Sequence, residues 1–381
     1  MKILVAPDSF KGSLTAVRFC EICESTLKSV IPEAEIISMP LADGGEGTAE
    51  CFKKAVDCKA ADFYVQNSLY EEIDAPILFF DNGKTALIEA AFANGLPQIK
   101  GRENPEETTT YGVGQLIGHA VDLGAKKIIL ALGGSSTNDC GLGMLAALGA
   151  CFYNKDGVSF VPTGGTLCDV VDMDFSMMYP RLQGARFEAM CDVENPLCGE
   201  KGCSRVFAPQ KGADPQMVER LEKGCRHIAG LFNLMRDKDF SLEKGAGAAG
   251  GLGFAVLAGL LGELKSGIDT VLDLCDFEAK LADCDLLITG EGSFDNQSLM
   301  GKTIGGLLRR IEKAQADKGQ TKKLPVCVFC GKAENGMKLP QNLHVFPISE
   351  GQTLEYAMSH AEENLEKAIR MELYNYNNFF L

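Results

Sequence analysis

At 381 residues the chain exceeds the usual size of one hydrophobic core, so a division into about two domains is expected. A formal net charge of −15 leaves no broad basic face, which excludes nucleic acid as a partner while leaving a small anion open to local cations or a metal. Hydrophobic residues at 46% and charged residues at 23% are the proportions of a folded soluble protein and not of a disordered one.

In chain order, "KILVAPDS" (2–9) reads as a buried strand that ends at Asp8 and Ser9 and leads to a helix beginning near Thr15. The apolar run stops at Pro7 without the longer core and cleavage site of a signal peptide, and no stretch is long enough to span a bilayer. A cytoplasmic protein with no membrane partner is expected. In the first helix Val17, Cys20, Leu27 and Val30 recur at helical spacing, so the Cys20/Cys23 pair reads as core packing, not as a metal or redox site. "DFYVQNSLYEEIDAPILFFDNGKTALIEAA" (62–91) alternates apolar and polar residues around Asn82-Gly83, a hairpin signal. "KKIILALGGSST" (126–137) precedes the helical "GLGMLAALG", and "CDVENP" follows the apolar run "ARFEAM". "CDLLITGEGSFD" (284–295) is read as a strand end with an acidic glycine turn before the helix "KTIGGLLRRIEKA". In the strand-like "PVCVFCG", Cys327 and Cys330 face opposite sides and cannot easily share a metal. The fifteen scattered cysteines fit free thiols in a reducing compartment, and the final "NYNNFFL" reads as a surface or docking tail.

Buried strands alternating with helices indicate parallel α/β architecture, and the region around the hairpin departs from it. The pattern is that of an antiparallel β-containing domain at 61–282 inserted into a parallel domain formed by 1–60 plus 283–381.

Five segments combine glycine with Asp, Glu, Ser, Thr, Asn or Lys: "PDSFKGSLTA" (7–16), "LADGGEGTAE" (41–50), "LGGSSTNDCGLG" (132–143), "CDVENPLCGEKG" (191–202) and "ITGEGSFDNQSLMGKT" (288–303). Glycine lets backbone N–H groups form an anion nest, acidic groups hold metal or orient hydroxyls, and lysine offsets phosphate charge; these are the parts of a phosphoryl-transfer site. The route is not a P-loop, because Asn296 stands where that motif needs its first glycine before Gly301-Lys302-Thr303, and Leu78 stands at the same place before Gly83. "GAGAAG" (245–250) fits either a phosphate cradle or close helix packing, and the sequence leaves both open. His119, His227, His344 and His360 lack metal-ligand spacing, and no G-x-S-x-G elbow occurs, so the acid–base groups are carboxylates: Asp8, Asp43, Asp139, Asp192 and Asp295 in glycine-flanked loops.

Together "VAPDSFKGSLTA", "PLADGGEGT", "TTTYGVGQLI", "GGSSTNDCGLGMLAALG", "CDVENPLCG", "FAPQKGA", "GAGAAGGLGF" and "ITGEGSFDNQSLMGK" resemble, in order, the blocks of the bacterial glycerate kinase type I family. The resemblance runs to about Gly331. It implies ATP-dependent phosphorylation of D-glycerate with magnesium, by a Rossmann-like domain interrupted by a second, mixed α/β domain, with the active site in the interdomain cleft. Where that family's last block commonly has arginine, this chain has Ser293, which leaves Lys302 as the nearest replacement cation; Arg205 reads as a solvated surface arginine in preference to a compensating cation.

On this reading Asp192, expected at a strand end, is the base or hydroxyl-orienting group, and Lys11 and Asp43 complete the catalytic set. Asp43 and Glu46 are the magnesium candidates, while Thr303 is set aside as one. Ligand contacts are expected from Asp8, Ser9, Gly44, Gly45, Gly133, Gly134, Ser135, Ser136, Thr137, Asn138, Asp139, Asn195, Gly290, Glu291, Asp295, Gln297 and Lys302. The product expected is 2-phosphoglycerate in preference to 3-phosphoglycerate, from a homodimeric enzyme. The alternatives are a kinase of a related hydroxy acid and a non-catalytic regulator that binds sugar acids.

Overall fold

The computed structural model describes residues 1–45, 47–299, 303–317, 323–334 and 336–380. Two compact units divide the chain: Met1–Asp43, Glu50–Asp57 and Ile268–Leu381 form the first, Gly44–Ala49 and Cys58–Gly267 the second.

The first unit is built on an all-parallel sheet. Its strands, numbered along the chain, are β1 (Lys2–Val5), β2 (Glu35–Ser38), β12 (Leu286–Phe294), β13 (Val326–Ala333) and β14 (Leu343–Pro347), in the order β14-β13-β12-β1-β2. Counted within the unit this is 2-1-3-4-5, a doubly wound order that reverses direction between β1 and β12. Helix Ala16–Val30 starts where Thr15 Oγ1 accepts the Arg18 N–H at 3.1 Å, and it buries Ala16, Phe19, Cys20, Ile22, Cys23, Thr26 and Leu27. That spacing of one turn places Cys20 and Cys23 in the core with Ile3 and Val5, as the helical periodicity indicates. Cys327 and Cys330 are both buried on β13, since a central parallel strand is covered on both faces.

β12 runs further than the sequence suggests. The "GEGSF" expected as a turn is still strand, with Ser293 opposite Lys332 and Phe294 opposite Ala333. Gly290 permits this: a Cβ there would lie 2.4 Å from the Phe329 carbonyl oxygen and 2.6 Å from the Phe19 ring.

The second unit contains a mixed six-stranded sheet of β3 (Lys59–Gln66), β4 (Glu72–Phe80), β5 (Thr85–Glu89), β6 (Lys127–Ala131), β10 (Arg186–Met190) and β11 (Glu263–Lys265), ordered β11-β10-β6-β5-β4-β3. β5, β6, β10 and β11 are parallel neighbours, and β3 and β4 join antiparallel. The expected hairpin is there: β4 turns into β5 through Asp81, Asn82 and Gly83, all at positive φ. A small antiparallel sheet of β7 (Cys151–Tyr153), β8 (Ser159–Phe160) and β9 (Asp172–Asp174) completes the unit.

The chain re-enters the first unit at Ile268, before the residue 283 suggested by composition. Ile268 packs over Gly306, and Arg310 reaches Glu278 at 2.6 Å and Asp273 at 2.8 Å, so 268–282 is tied to helix Thr303–Asp317. Residues 375–380 of the final segment continue helix Ala361–Phe380, and Leu381 lies outside the described residues.

Candidate functional site

In doubly wound sheets ligands gather beyond the carboxyl ends of the strands, where the strand order reverses. In the first unit that place is occupied by Asp8, which follows β1 and donates its N–H to the Gly290 carbonyl on β12 at 2.8 Å. Asp8 Oδ1 accepts the Ser9 N–H at 2.6 Å, and Oδ2 accepts the Thr303 hydroxyl at 2.5 Å. Burial raises the Asp8 carboxyl above its ordinary value, the Thr303 hydrogen bond opposes the rise, and the Asp43 charge adds to it. Asp43 comes close because the chain after β2 keeps pairing with β1, Met39 N–H to Val5 O and Leu41 N–H to Pro7 O, each at 2.8 Å. Lys11 is exposed on the tight turn closed by Phe10 and Leu14, and its charge reaches Asp8. Glu291 is buried on β12.

The stretch that resembles a P-loop thus has a different use: its threonine orients an aspartate. The other end of that stretch is partly local. Asp295 accepts the Gln297 N–H at 2.7 Å and the Ser298 N–H at 3.1 Å, capping the short helix Asn296–Leu299, on which Gln297 is exposed. Lys302 and Glu46 lie outside the described residues. Lys332, beside Ser293 in the β12–β13 register, is a cation at this edge that sequence alone does not point to.

In the second unit the loops after β5, β6 and β10 leave the same edge because those strands are parallel. Glu89 at the end of β5 accepts the Gly47 N–H at 3.1 Å and the Ala49 N–H at 3.0 Å, which fixes the glycine loop 44–47. Gly133 N–H donates to Gly44 O at 3.1 Å, and a Cβ on Gly133 would lie 2.5 Å from the Gly45 Cα. Backbone meets backbone here, which only glycine allows.

The hydroxyl run that follows is mostly turned inward. Ser136 Oγ donates to Asn94 O at 2.9 Å and lies in hydrogen-bond reach of Ser68 Oγ at 3.0 Å, Thr137 Oγ1 accepts from Asn94 Nδ2 at 3.1 Å, and Asn138 Nδ2 donates to Ser204 Oγ at 3.1 Å. Asp139, expected among the ligand contacts, is fully buried and takes hydrogen bonds from Thr110 N and Oγ1 at 2.8 Å, Gly141 N at 3.0 Å and Gly143 N at 3.2 Å. Burial raises its carboxyl and those donors oppose the rise. Its role is to hold the loop. Ser135 is held by Lys211, whose Nζ donates to Ser135 Oγ at 2.9 Å and to Thr137 O at 2.7 Å.

Asp192 follows β10 as expected; it is exposed, and its Oδ1 accepts the Gly267 N–H at 2.9 Å. The Asn195 amide donates one N–H to Lys201 O at 2.8 Å within the same loop. Arg205 is paired with Glu219 at 2.6 Å. The glycines of 245–253 resolve toward close packing: Cβ atoms at Gly247 and Gly250 would strike the Pro196 and Thr137 carbonyls at 2.3 and 1.9 Å. The segment buttresses the loops that carry Asn195 and Thr137.

Two sets of chemistry result: in the first unit, adjacent carboxylates with a lysine; in the second, a glycine and hydroxyl loop with a buried lysine and an exposed aspartate. Missed by sequence reasoning were Glu89, Asn94, Lys211 and the Thr303–Asp8 bond; Lys211 lies in the quoted "FAPQKGA" block, but without a role. Among the described residues no three or more His, Cys, Asp or Glu side chains form a ready metal cage, and no helix is long and apolar enough to cross a membrane.

The family model for the glycerate kinase family matches residues 3–373. A Bacillus cereus protein named glycerate kinase is 42% identical over 375 residues, covering 96% of this chain and 95% of that one. An Escherichia coli protein named glycerate 2-kinase is 41% identical over 314 residues, 82% of each chain. A crystal structure from Salmonella typhimurium, assigned as glycerate kinase 2, superposes with a TM-score of 0.81 at 36% identity, covering 99% of this chain and 98% of that one. The chain therefore belongs to the glycerate kinase family, and it is a kinase.

Proposed function

We propose that the protein transfers the γ-phosphoryl group of ATP to a hydroxyl of D-glycerate, giving 2-phosphoglycerate. Family membership supports the reaction class, and the name of the E. coli relative supports the 2-position. The structural observation that carries the reading is the pair of carboxylates, Asp8 and Asp43, gathered where the doubly wound sheet reverses.

Magnesium fits that pair, since both are hard oxygen donors and a divalent cation would offset the burial and the Asp43 charge that raise the Asp8 carboxyl. Asp8 and Asp43 would hold it, with Glu46 a further candidate, and when bound it supplies positive charge to phosphate oxygens. Lys11 contributes a second positive charge near the phosphates. Glycerate is assigned to the second unit, where the Gly133–Thr137 loop offers the Ser135 hydroxyl, backed by the Lys211 ammonium, to its carboxylate. Asp192, aimed by the Gly267 N–H, orients the accepting hydroxyl and takes its proton as the bond to phosphorus forms. Phosphoryl transfer of this loose kind depends on positioning and charge more than on a strong base. The same reading expects a cytoplasmic homodimer.

The test is ADP release from magnesium-ATP with D-glycerate, L-glycerate, lactate and glycolate as acceptors. Turnover with D-glycerate in clear preference supports the proposal. Preference for another acid makes the protein a kinase of a related hydroxy acid, and binding without ADP release from any of them makes it a regulator.

A further inference from the structure

We propose that Lys211 is a positioning residue that makes Ser135 an obligate hydrogen-bond donor toward the carboxylate of the acid substrate. The proposal rests on the reading that glycerate binds at the Gly133–Thr137 loop.

Lys211 ends the short 3-10 turn Pro209–Lys211 and is 2% exposed. Buried ammonium groups ordinarily pair with a carboxylate. The hydrogen bonds of this one go to a hydroxyl and a carbonyl, Ser135 Oγ at 2.9 Å and Thr137 O at 2.7 Å. The nearest acidic influence is Asp139, whose oxygens are already engaged by Thr110, Gly141 and Gly143. A positive charge is therefore stored under the loop.

A serine hydroxyl has one proton and two acceptor positions. With Lys211 Nζ–H directed into Ser135 Oγ, the serine proton must point elsewhere. Ser135 is 7% exposed, whereas Ser136, Thr137, Asn138 and Asp139 are at 0%, so Ser135 is the member of the run that keeps some exposure. Charged Lys211 leaves Ser135 facing an incoming anion as a donor. Neutral Lys211 would instead accept the Ser135 proton and turn the hydroxyl inward.

The groups packed around Lys211 are Asp139 from the β6 loop, Cys203 from helix Cys203–Phe207 and Cys225 from helix Pro215–Met235. Both thiols are raised well above their ordinary value, Cys203 first by its hydrogen bond with Cys225 and then by burial, Cys225 first by its hydrogen bond with Cys140, so they are neutral at working pH. Burial lowers Lys211 to about 8, with the Asp139 carboxylate opposing. A carboxylate arriving at Ser135 favours the charged lysine and should draw a proton from solvent.

The experiment is calorimetric titration of D-glycerate into the full-length protein at pH 8, in two buffers of different ionisation enthalpy, for wild type, Lys211→Met and Ser135→Ala, with KM and kcat measured from pH 6.5 to 9. Expected for wild type is uptake of about half a proton per glycerate bound and a KM that rises above pH 8. Lys211→Met should abolish the uptake, raise KM for glycerate about 10- to 100-fold and remove its rise above pH 8, with kcat changed far less. Ser135→Ala should raise KM similarly. Unchanged proton uptake in Lys211→Met, or a KM that stays flat above pH 8 in wild type, overturns the proposal while leaving the functional reading intact. If Lys211→Met does not fold, wild-type uptake and Ser135→Ala still decide. Wild type that neither binds nor phosphorylates glycerate overturns both.

Discussion

The two units present opposite chemistry at the carboxyl ends of their parallel strands. In the first, the Asp43 charge acts on Asp8, which is steadied by the Thr303 hydroxyl; in the second, the Gly133–Thr137 loop carries the Ser135 hydroxyl over a buried lysine, while its Gly133 and Ser136 N–H groups are bonded to Gly44 O and Asn94 O. Adjacent carboxylates attract a cation, and oriented donors over a stored positive charge attract an anion. On the proposed reading, the same α/β logic places a metal with phosphate in one unit and an organic acid in the other.

The largest effect that would break this contrast is at Asp192. Asp192→Asn keeps the shape and removes the proton acceptor, so kcat should fall on the order of 100- to 10,000-fold in a folded protein; near-normal turnover would remove Asp192 from the mechanism. Next comes the carboxylate pair. Asp8→Asn or Asp43→Asn should raise the magnesium concentration needed for half activity by about 10- to 100-fold, with KM for glycerate little changed, which a magnesium titration reads directly. Asp139→Ala leaves buried N–H groups of Thr110, Gly141 and Gly143 without their acceptor and should cost about 3 kcal/mol in denaturant unfolding. Lys211 gives a pH signature. Its folded-state value, about 8, is below its ordinary value of 10.5, so the burial penalty is present in full below pH 8 and fades as pH rises to 10.5. The stability of wild type relative to Lys211→Met should therefore increase across that window. The smallest effect is Thr15→Ala, about 1 kcal/mol from the lost cap of helix Ala16–Val30, with kinetics unaffected.

Local patterns were legible because local physics writes them. The helix beginning near Thr15, the Asn82-Gly83 hairpin, the strands before Asp8, Gly133 and Asp192, and the family itself all follow from short segments. What was hidden depends on partners far away in the chain. Gly290 looks like a turn residue, yet it stays in β12 because Phe19, 271 positions earlier, packs where a side chain would go. Asp139 and Asp192 look alike in sequence, but one is consumed by Thr110 and two glycine N–H groups while the other is exposed. Lys211 gives no local sign of burial, since its partners Ser135 and Thr137 are more than 70 residues away.

The most direct test of the central claim is to ask which hydroxyl of D-glycerate is phosphorylated. The product formed from magnesium-ATP is given to enolase with and without phosphoglycerate mutase. Immediate consumption by enolase alone is predicted, as required for 2-phosphoglycerate; consumption only after mutase is added, or no phosphorylated product at all, would contradict the account.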